Sequence, residues 1–200
     1  MITAYHRPKT LDEALTLLTQ PNRTPLGGGT LLSRPTTDPV EAVDLQALNL
    51  DSIKKSGNNL EVGATVTLQQ LLESEHCPEP MKTALKLEAP LNLRNAATVA
   101  GTLVACDGRS TFGTILLALD AKIETRYSTD DSRISNIGEF LPLRPRGLII
   151  SITVPVNVKL AFDYVSRTPA DKPIVCAALA QWNSGRTRLV LGGYGKSPLL

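Results

Sequence analysis

The sequence is poor in the residues that cross-link small proteins or bind metals. Its 200 residues include 3 cysteines and 2 histidines, and aromatic side chains make up only 4%. Cys77, Cys106 and Cys176 form no CxxC pair, which excludes a cysteine-ligated zinc or iron–sulfur centre within this chain. His6 and His76 lie too far apart in sequence to suggest a histidine metal pair. We therefore assign no metal site.

Long apolar runs and blocks of like charge are also missing. The 21 basic and 19 acidic residues are interspersed, which argues against a nucleic-acid arm or a polybasic membrane anchor. No run of 18 apolar residues occurs, and the first six residues do not resemble a signal peptide. We expect a cytoplasmic protein, binding neither nucleic acid nor membrane, whose one domain or two small ones fold without disulfides.

The first fifty residues alternate between strand and helix signals. Thr10 and Glu13 form a predicted capping box, and leucines and alanine follow at helical spacing, so residues 10–19 are predicted as a helix. Residues 24–26 and 42–45 are typical of short buried strands. This part of the chain is predicted to have a β-α-β-like arrangement.

The remainder mixes helices with antiparallel strands. The turn residues 57–59 predict a hairpin, and Thr67 with Gln70 predicts a second capping box. Residues 89–111 are small or polar and are predicted as a long loop that feeds an apolar helix at 112–119. The chain therefore belongs to the α+β class with two unequal subdomains. The other predicted elements are strands 53–56, 60–62, 147–154, 159–166, 174–182 and 186–191, and helices 68–72 and 80–87.

Two segments of small residues are the candidate binding site. Residues 27–30, Gly-Gly-Gly-Thr, follow a predicted strand, so their backbone amides are free to face a phosphate. Three adjacent glycines are by themselves most often only a turn, and the spacing fits neither GxGxxG nor a P-loop. Residues 98–102 form a second such segment, and together the two are predicted to hold one diphosphate from both sides.

The second segment carries a resemblance to a known family. Residues 93–102 resemble the "RNxATxGGN" stretch of the flavin-binding domain of molybdenum hydroxylases, which include carbon monoxide dehydrogenase and xanthine dehydrogenase. The resemblance runs along nearly the whole chain in the right order. Residues 26–32 are similar to the family's "AGGTDLL" loop, and residues 60–64 to its "LxIGA" strand. Further similar stretches are residues 5–8, 11–14, 43–45, 116–121, 166–171 and 191–198.

The resemblance implies an α+β flavin fold of the PCMH type, shared with vanillyl-alcohol oxidase. It implies a small N-terminal α/β subdomain over residues 1–52 and a second, larger subdomain with a mixed or antiparallel sheet and helices over 53–192. Residues 193–200 would be a tail where the family's C-terminal domain begins. FAD would lie between the two subdomains and carry the redox chemistry, so no catalytic acid or base is assigned.

Carried over by position, the resemblance implies four groups of FAD contacts. The first loop would surround the pyrophosphate and adenosine side, the second segment would lie on the other flank, a third pair would lie near the ribityl chain and pyrophosphate, and a fourth pair near the rings. In that order the residues are Leu26, Gly27, Gly28, Gly29, Thr30 and Leu31; Ala97, Thr98, Gly101, Thr102 and Val104; Ser110 and Thr111; and Leu148 and Ile149.

Several positions depart from the family pattern, and two functions stay open. The departures are Leu31, Ala100, Thr102, Thr111 and Asp163, where the family usually has an acidic residue, Gly, Asn, Asp and a basic residue. In the first hypothesis, the chain is an FAD subunit that receives electrons from partner iron–sulfur and molybdopterin subunits through [2Fe–2S] clusters and passes them to an acceptor. In the second, it is a binding or assembly module that has lost FAD.

Two side chains in the loop before the apolar helix have alternative roles. Arg109 either supplies charge to a diphosphate or is simply solvated. Cys106 is either a nucleophile or a packing residue, and we favour packing because no sequence argument brings a histidine close to it.

Overall fold

The computed structural model describes residues 2–33, 38–168 and 171–200. In this part of the chain three sheets and seven α-helices surround one large apolar core and a small satellite cluster. The structure confirms the α+β class. None of the described helices is long and apolar enough to cross a membrane.

A small parallel sheet with one helix forms the N-terminal part. Its elements are β1 (Ile2–His6), α1 (Leu11–Leu18), β2 (Arg23–Leu26) and β3 (Val40–Asp44), and the strand order is β1-β3-β2. The predicted helix and both predicted strands are confirmed. Only half of the predicted capping box forms: Thr10 Oγ accepts from the Glu13 amide at 3.2 Å, but the Glu13 carboxylate accepts from the Lys9 amide at 2.8 Å.

A five-stranded antiparallel sheet follows after a 3₁₀ turn at Gln46–Leu48. The predicted hairpin is confirmed, with Gly57 in the left-handed region at φ 58°. The strand order is β4-β5-β8-β6-β7. The sheet consists of β4 (Ile53–Ser56), β5 (Asn59–Gly63), β6 (Lys122–Arg126), β7 (Ser132–Asn136) and β8 (Leu148–Pro155).

A separate three-stranded antiparallel sheet ends the chain. It consists of β9 (Lys159–Val165), β10 (Val175–Gln181) and β11 (Thr187–Gly192), in the order β11-β10-β9. All four strands predicted for the last third are confirmed, whereas β6 and β7 were not predicted. The change from the parallel to the antiparallel sheets falls between Leu48 and Ile53. The division into subdomains at residue 52 stays a prediction.

Six helices follow β5 in sequence. They are α2 (Leu68–Glu73), α3 (Glu79–Glu88), α4 (Leu91–Arg94), α5 (Val99–Ala105), α6 (Thr111–Ala118) and α7 (Ile137–Leu143). Every residue of α6 is buried, and this helix packs against α3, β10 and β11. The second capping box forms completely around Thr67 and Gln70.

The predicted loop over residues 89–111 was wrong, because it contains α4 and α5. Pro90 precedes α4, and the Thr98 hydroxyl caps α5 by accepting from the Gly101 amide at 3.1 Å. Val99 and Leu103 are the buried residues that hold α5 on the core. Two such positions in seven residues are too few to show helical periodicity in the sequence.

Candidate functional site

The two small-residue segments, which are predicted to hold one diphosphate from both sides, lie in direct contact with each other. A β-carbon on Gly27 would lie 2.8 Å from Thr98 Oγ1, and one on Gly28 would overlap the Ala96 carbonyl oxygen. Glycine is therefore required at Gly28 by the close approach of two backbones. The contact places the loop after β2 beside the residues that enter α5.

A cavity of about 370 Å³ lies beside this contact. It is bounded on one side by the first loop and on the other by α5. Five of the residues named from the sequence line it: Thr30, Leu31, Ala97, Gly101 and Thr102. The other lining residues are Leu68, Glu88, Ala89, Leu93, Ala105, Cys106 and Lys172.

Free backbone donors distinguish the first loop from the second segment. Within the described residues, the amides of Gly27, Gly28, Gly29 and Thr30 donate to no protein acceptor. The first amides of α5, in contrast, are all satisfied. Val99 donates to the Val66 carbonyl at 2.8 Å, Ala100 to the Ala64 carbonyl at 3.2 Å, and Gly101 to its cap. Runs of consecutive free backbone amides are a common feature of anion-binding sites, so residues 27–30 are the candidate position for an anion.

Glu88 is the functional side chain that sequence reasoning missed. Its carboxylate is only 8% exposed and lies at the N-terminus of α6, where Oε2 accepts from the Phe112 amide at 2.9 Å and from Ser110 Oγ at 2.9 Å. Thr111 Oγ1 lies 3.1 Å from the same oxygen. A negative charge at this helix end is favourable. No local pattern links Glu88 to a helix that begins 23 residues later.

Ser110 and Thr111 are therefore fully buried beneath Glu88 and do not line the cavity. The hydroxyl of Thr111 also reaches the Ala84 carbonyl at 2.7 Å. Thr111 stands where the resembled family usually has Asp, and in the structure the carboxylate of Glu88, from α3, lies beside it. Direct contact of Ser110 and Thr111 with the cofactor stays a prediction.

Lys172 extends over the cavity from the loop between β9 and β10. Its Nζ lies 3.7 Å from Glu88 Oε1 and 3.4 Å from Asp107 Oδ1. The Arg109 guanidinium donates to the carbonyls of Lys172 and Pro173 at 3.0–3.1 Å. Arg109 is exposed, which agrees with the solvated alternative, and its guanidinium in addition holds this loop in place.

The remaining predicted residues, which include Gly27, Gly28 and Gly29, do not line the cavity. Leu26 ends β2, and Thr98 is the buried cap of α5. Val104 is 51% exposed on α5. Leu148 and Ile149 are buried at the start of β8, where Leu148 packs with Leu15 and Leu45 between the parallel and five-stranded sheets. Their predicted position near the flavin rings stays a prediction.

Cys106 lines the cavity as a packing residue. Burial raises the pKa of the Cys106 thiol to about 11 and that of Cys77 to about 12, so both are protonated at neutral pH. A protonated thiol is a poor nucleophile. The described residues contain no group of three or more His, Cys, Asp or Glu side chains that could hold a metal ion.

The chain is similar to known proteins in sequence and in fold. YgfM from Escherichia coli K12 is 28% identical over 204 residues, which span 100% of this chain and 77% of that protein. The glyceraldehyde dehydrogenase medium chain of Sulfolobus acidocaldarius is 26% identical over 215 residues, spanning 98% and 76%. The quinoline 2-oxidoreductase structure from Pseudomonas putida 86 superposes with a TM-score of 0.84 at 23% identity, covering 98% of this chain and 75% of that one.

A protein-family model also matches the chain. The model describes the FAD-binding domain in molybdopterin dehydrogenases, and it matches residues 1–157, most of the chain. The cofactor of this domain type is FAD. The chain therefore belongs to the family of FAD-binding domains of molybdopterin dehydrogenases.

Proposed function

We propose that this chain is the FAD-holding component of a molybdenum hydroxylase-type oxidoreductase. In this role it carries electrons from [2Fe–2S] clusters on a partner to an acceptor, and FAD supplies the redox chemistry when bound. The observation that carries the proposal is the run of four free amides at residues 27–30 in the first loop, whose residues Thr30 and Leu31 line the cavity. The chain's own task is to bind and orient the cofactor.

The donor set fits a diphosphate at the first loop. Gly29 has φ 69°, which turns the loop so that successive amides are able to converge on one anion. Thr30 makes no side-chain hydrogen bond within the described part of the chain, so its hydroxyl adds another donor at the cavity wall. Ala97 and Gly101, which are small residues, line the same cavity and leave room for a ligand. We propose that the diphosphate lies here rather than at α5 or α6, whose first amides are already engaged.

Glu88 also restricts where the diphosphate can lie. Its carboxylate is fixed at the N-terminus of α6, where it lines the cavity and would repel a diphosphate. The diphosphate is therefore favoured at the glycine loop rather than beside α6. We propose that Ser110 and Thr111 act indirectly, by holding Glu88, and that Leu148 and Ile149 shape the apolar region between the sheets.

The partners we propose are an iron–sulfur subunit and a molybdopterin subunit. One relative is named as a medium chain, which is the name of one subunit among several. The three cysteines of this chain are single buried residues, each engaged in packing, so the clusters are assigned to a partner. Free thiols also suit a reducing compartment, which supports the cytoplasm as the site of action.

Retention of FAD tests the proposal. The purified protein is incubated with excess FAD, desalted, and examined by visible absorption, and we expect a flavin spectrum with one FAD per chain. Mixing with candidate iron–sulfur and molybdopterin subunits then tests complex formation on a sizing column. A colourless protein that still joins such a complex would support the second candidate, an assembly module without flavin.

A further inference from the structure

One basic and one acidic side chain are present among the described residues that line the cavity, and they face each other. These are Lys172 and Glu88, with Nζ 3.7 Å from Oε1. Lys172 also lines a second cavity of about 490 Å³, which opens beside Arg109 and Arg167. Lys172 therefore borders both cavities.

The two members of this pair are held very differently. Glu88 is fixed, because its other oxygen accepts from the Phe112 amide and the Ser110 hydroxyl. Lys172 is held at its backbone by Arg109, but its ammonium makes only a 3.7 Å contact with Glu88 and a 3.4 Å contact with Asp107. Its side chain is 36% exposed. Partly exposed ion pairs at such distances contribute little, so the ammonium group can change partners at small cost.

The chemistry of a lysine suits such an exchange. An ammonium group on a flexible four-carbon stem is a mobile point charge that binds phosphate oxygens. A diphosphate on the free amides of this loop would bring negative charge beside a cavity where the described lining residues supply one carboxylate, that of Glu88. Lys172 is the basic side chain among the described lining residues, so it is the group available to neutralise that charge.

We propose that Lys172 is a cofactor-binding residue that leaves Glu88 and Asp107 to pair with the diphosphate of FAD. The assignment rests on the proposed function, because it requires FAD in this cavity. Glu88 keeps its place at α6 throughout and serves as the partner that holds Lys172 when no anion is present.

The test compares FAD affinity in the wild type, Lys172→Met and Lys86→Met, by quenching of flavin fluorescence at low and high salt. Lys86 is an exposed lysine near the end of α3, outside the lining of the cavity. We expect K172M to weaken FAD binding about 10- to 100-fold, the range of a lost charge-assisted hydrogen bond, and to reduce its salt dependence. K86M should bind as the wild type does. Unfolding curves without ligand show whether each variant is folded.

Glu88→Gln is a second variant for the same test of FAD affinity. Glutamine keeps an oxygen for the Phe112 amide but removes the charge that holds Lys172, so FAD should bind more tightly than to the wild type. Equal FAD affinity in K172M and the wild type, or weaker binding in a folded E88Q variant, overturns the assignment of Lys172 while leaving the proposed function intact. A wild type that binds no FAD overturns the proposed function and this assignment with it.

Discussion

Gly28 lies against the backbone of Ala96, so closely that a β-carbon at Gly28 would overlap the Ala96 carbonyl oxygen. This contact joins a loop from the parallel sheet to the segment that starts α5. It fixes the position of the loop whose amides at residues 27–30 are free and whose residue Thr30 lines the cavity. The geometry of the proposed diphosphate site therefore depends on a contact between two backbones.

Replacing Gly28 should damage both stability and FAD binding. In Gly28→Ala a backbone oxygen must move, and overpacking of this kind costs about 1–3 kcal/mol. Denaturant unfolding and FAD titration measure the two effects. Gly138→Ala is the matched control, because a β-carbon there would meet only Leu117 Cδ1 at 3.4 Å. We expect G138A to bind FAD normally, and normal binding by G28A would contradict the role of the contact.

Glu88 should contribute strongly to folding. Glu88→Ala leaves the buried Phe112 amide and the Ser110 hydroxyl without their acceptor, so we expect a loss of about 2–4 kcal/mol in the free energy of unfolding. Glu73→Ala, which removes an exposed contact to Gln69, should change it by less than about 0.5 kcal/mol. Similar losses in the two variants would show that Glu88 does not hold α6.

The three thiols should be unreactive in the native state. Burial raises the pKa of Cys77 and Cys106 to about 12 and about 11, and it also raises that of Cys176. The reactive thiolate is therefore scarce at pH 8, and we expect slow labelling by a disulfide reagent. In denaturant, three thiols per chain should react rapidly. Fast labelling of Cys106 in the folded protein would restore it as a candidate nucleophile.

The ion pairs of Glu41 should make the stability of the folded protein depend on pH in the acidic range. Hydrogen bonds from Arg23 and His6 hold the pKa of Glu41 below its ordinary value of 4.5. The stabilisation is therefore present above about pH 4.5 and is lost as the pH falls through the lower, folded-state pKa. In thermal unfolding, the melting temperature of the wild type should be higher than that of Glu41→Gln at pH 7, and the difference should vanish in acid. Asp51→Asn, at an exposed position, should show no such convergence.

The sequence predicts local structure well where one feature is sufficient. The capping box of Thr67 and Gln70 predicts α2, and the turn around Gly57 predicts the hairpin. The sequence fails where the decisive contact is distant. Thr98 begins a helix whose two buried residues, Val99 and Leu103, are too few to show a helical period, and β6 and β7 carry many polar and charged residues.

The candidate site shows the same division. The small residues of the glycine loop and the second segment predict that both lie at one site, and the structure brings the two segments together. The diphosphate that they are predicted to hold stays a prediction. Glu88 and Lys172 could not be found this way, because tertiary packing alone brings α3 and the β9–β10 loop to the same cavity. Arg109 is exposed, as one of its two predicted roles implies, but its bonds to carbonyl groups 63 and 64 residues away do not follow from the sequence.

The most direct test of the central claim is an NMR titration of ¹⁵N-glycine-labelled protein with FAD. The chain has 14 glycines, so the spectrum is simple to assign by single substitutions. We predict large shifts for the amides of Gly27, Gly28 and Gly29, since these donors are free in the described structure, and little change at Gly57 or Gly185, which lie in distant turns. Unchanged signals from residues 27–29 in protein saturated with FAD would contradict the account.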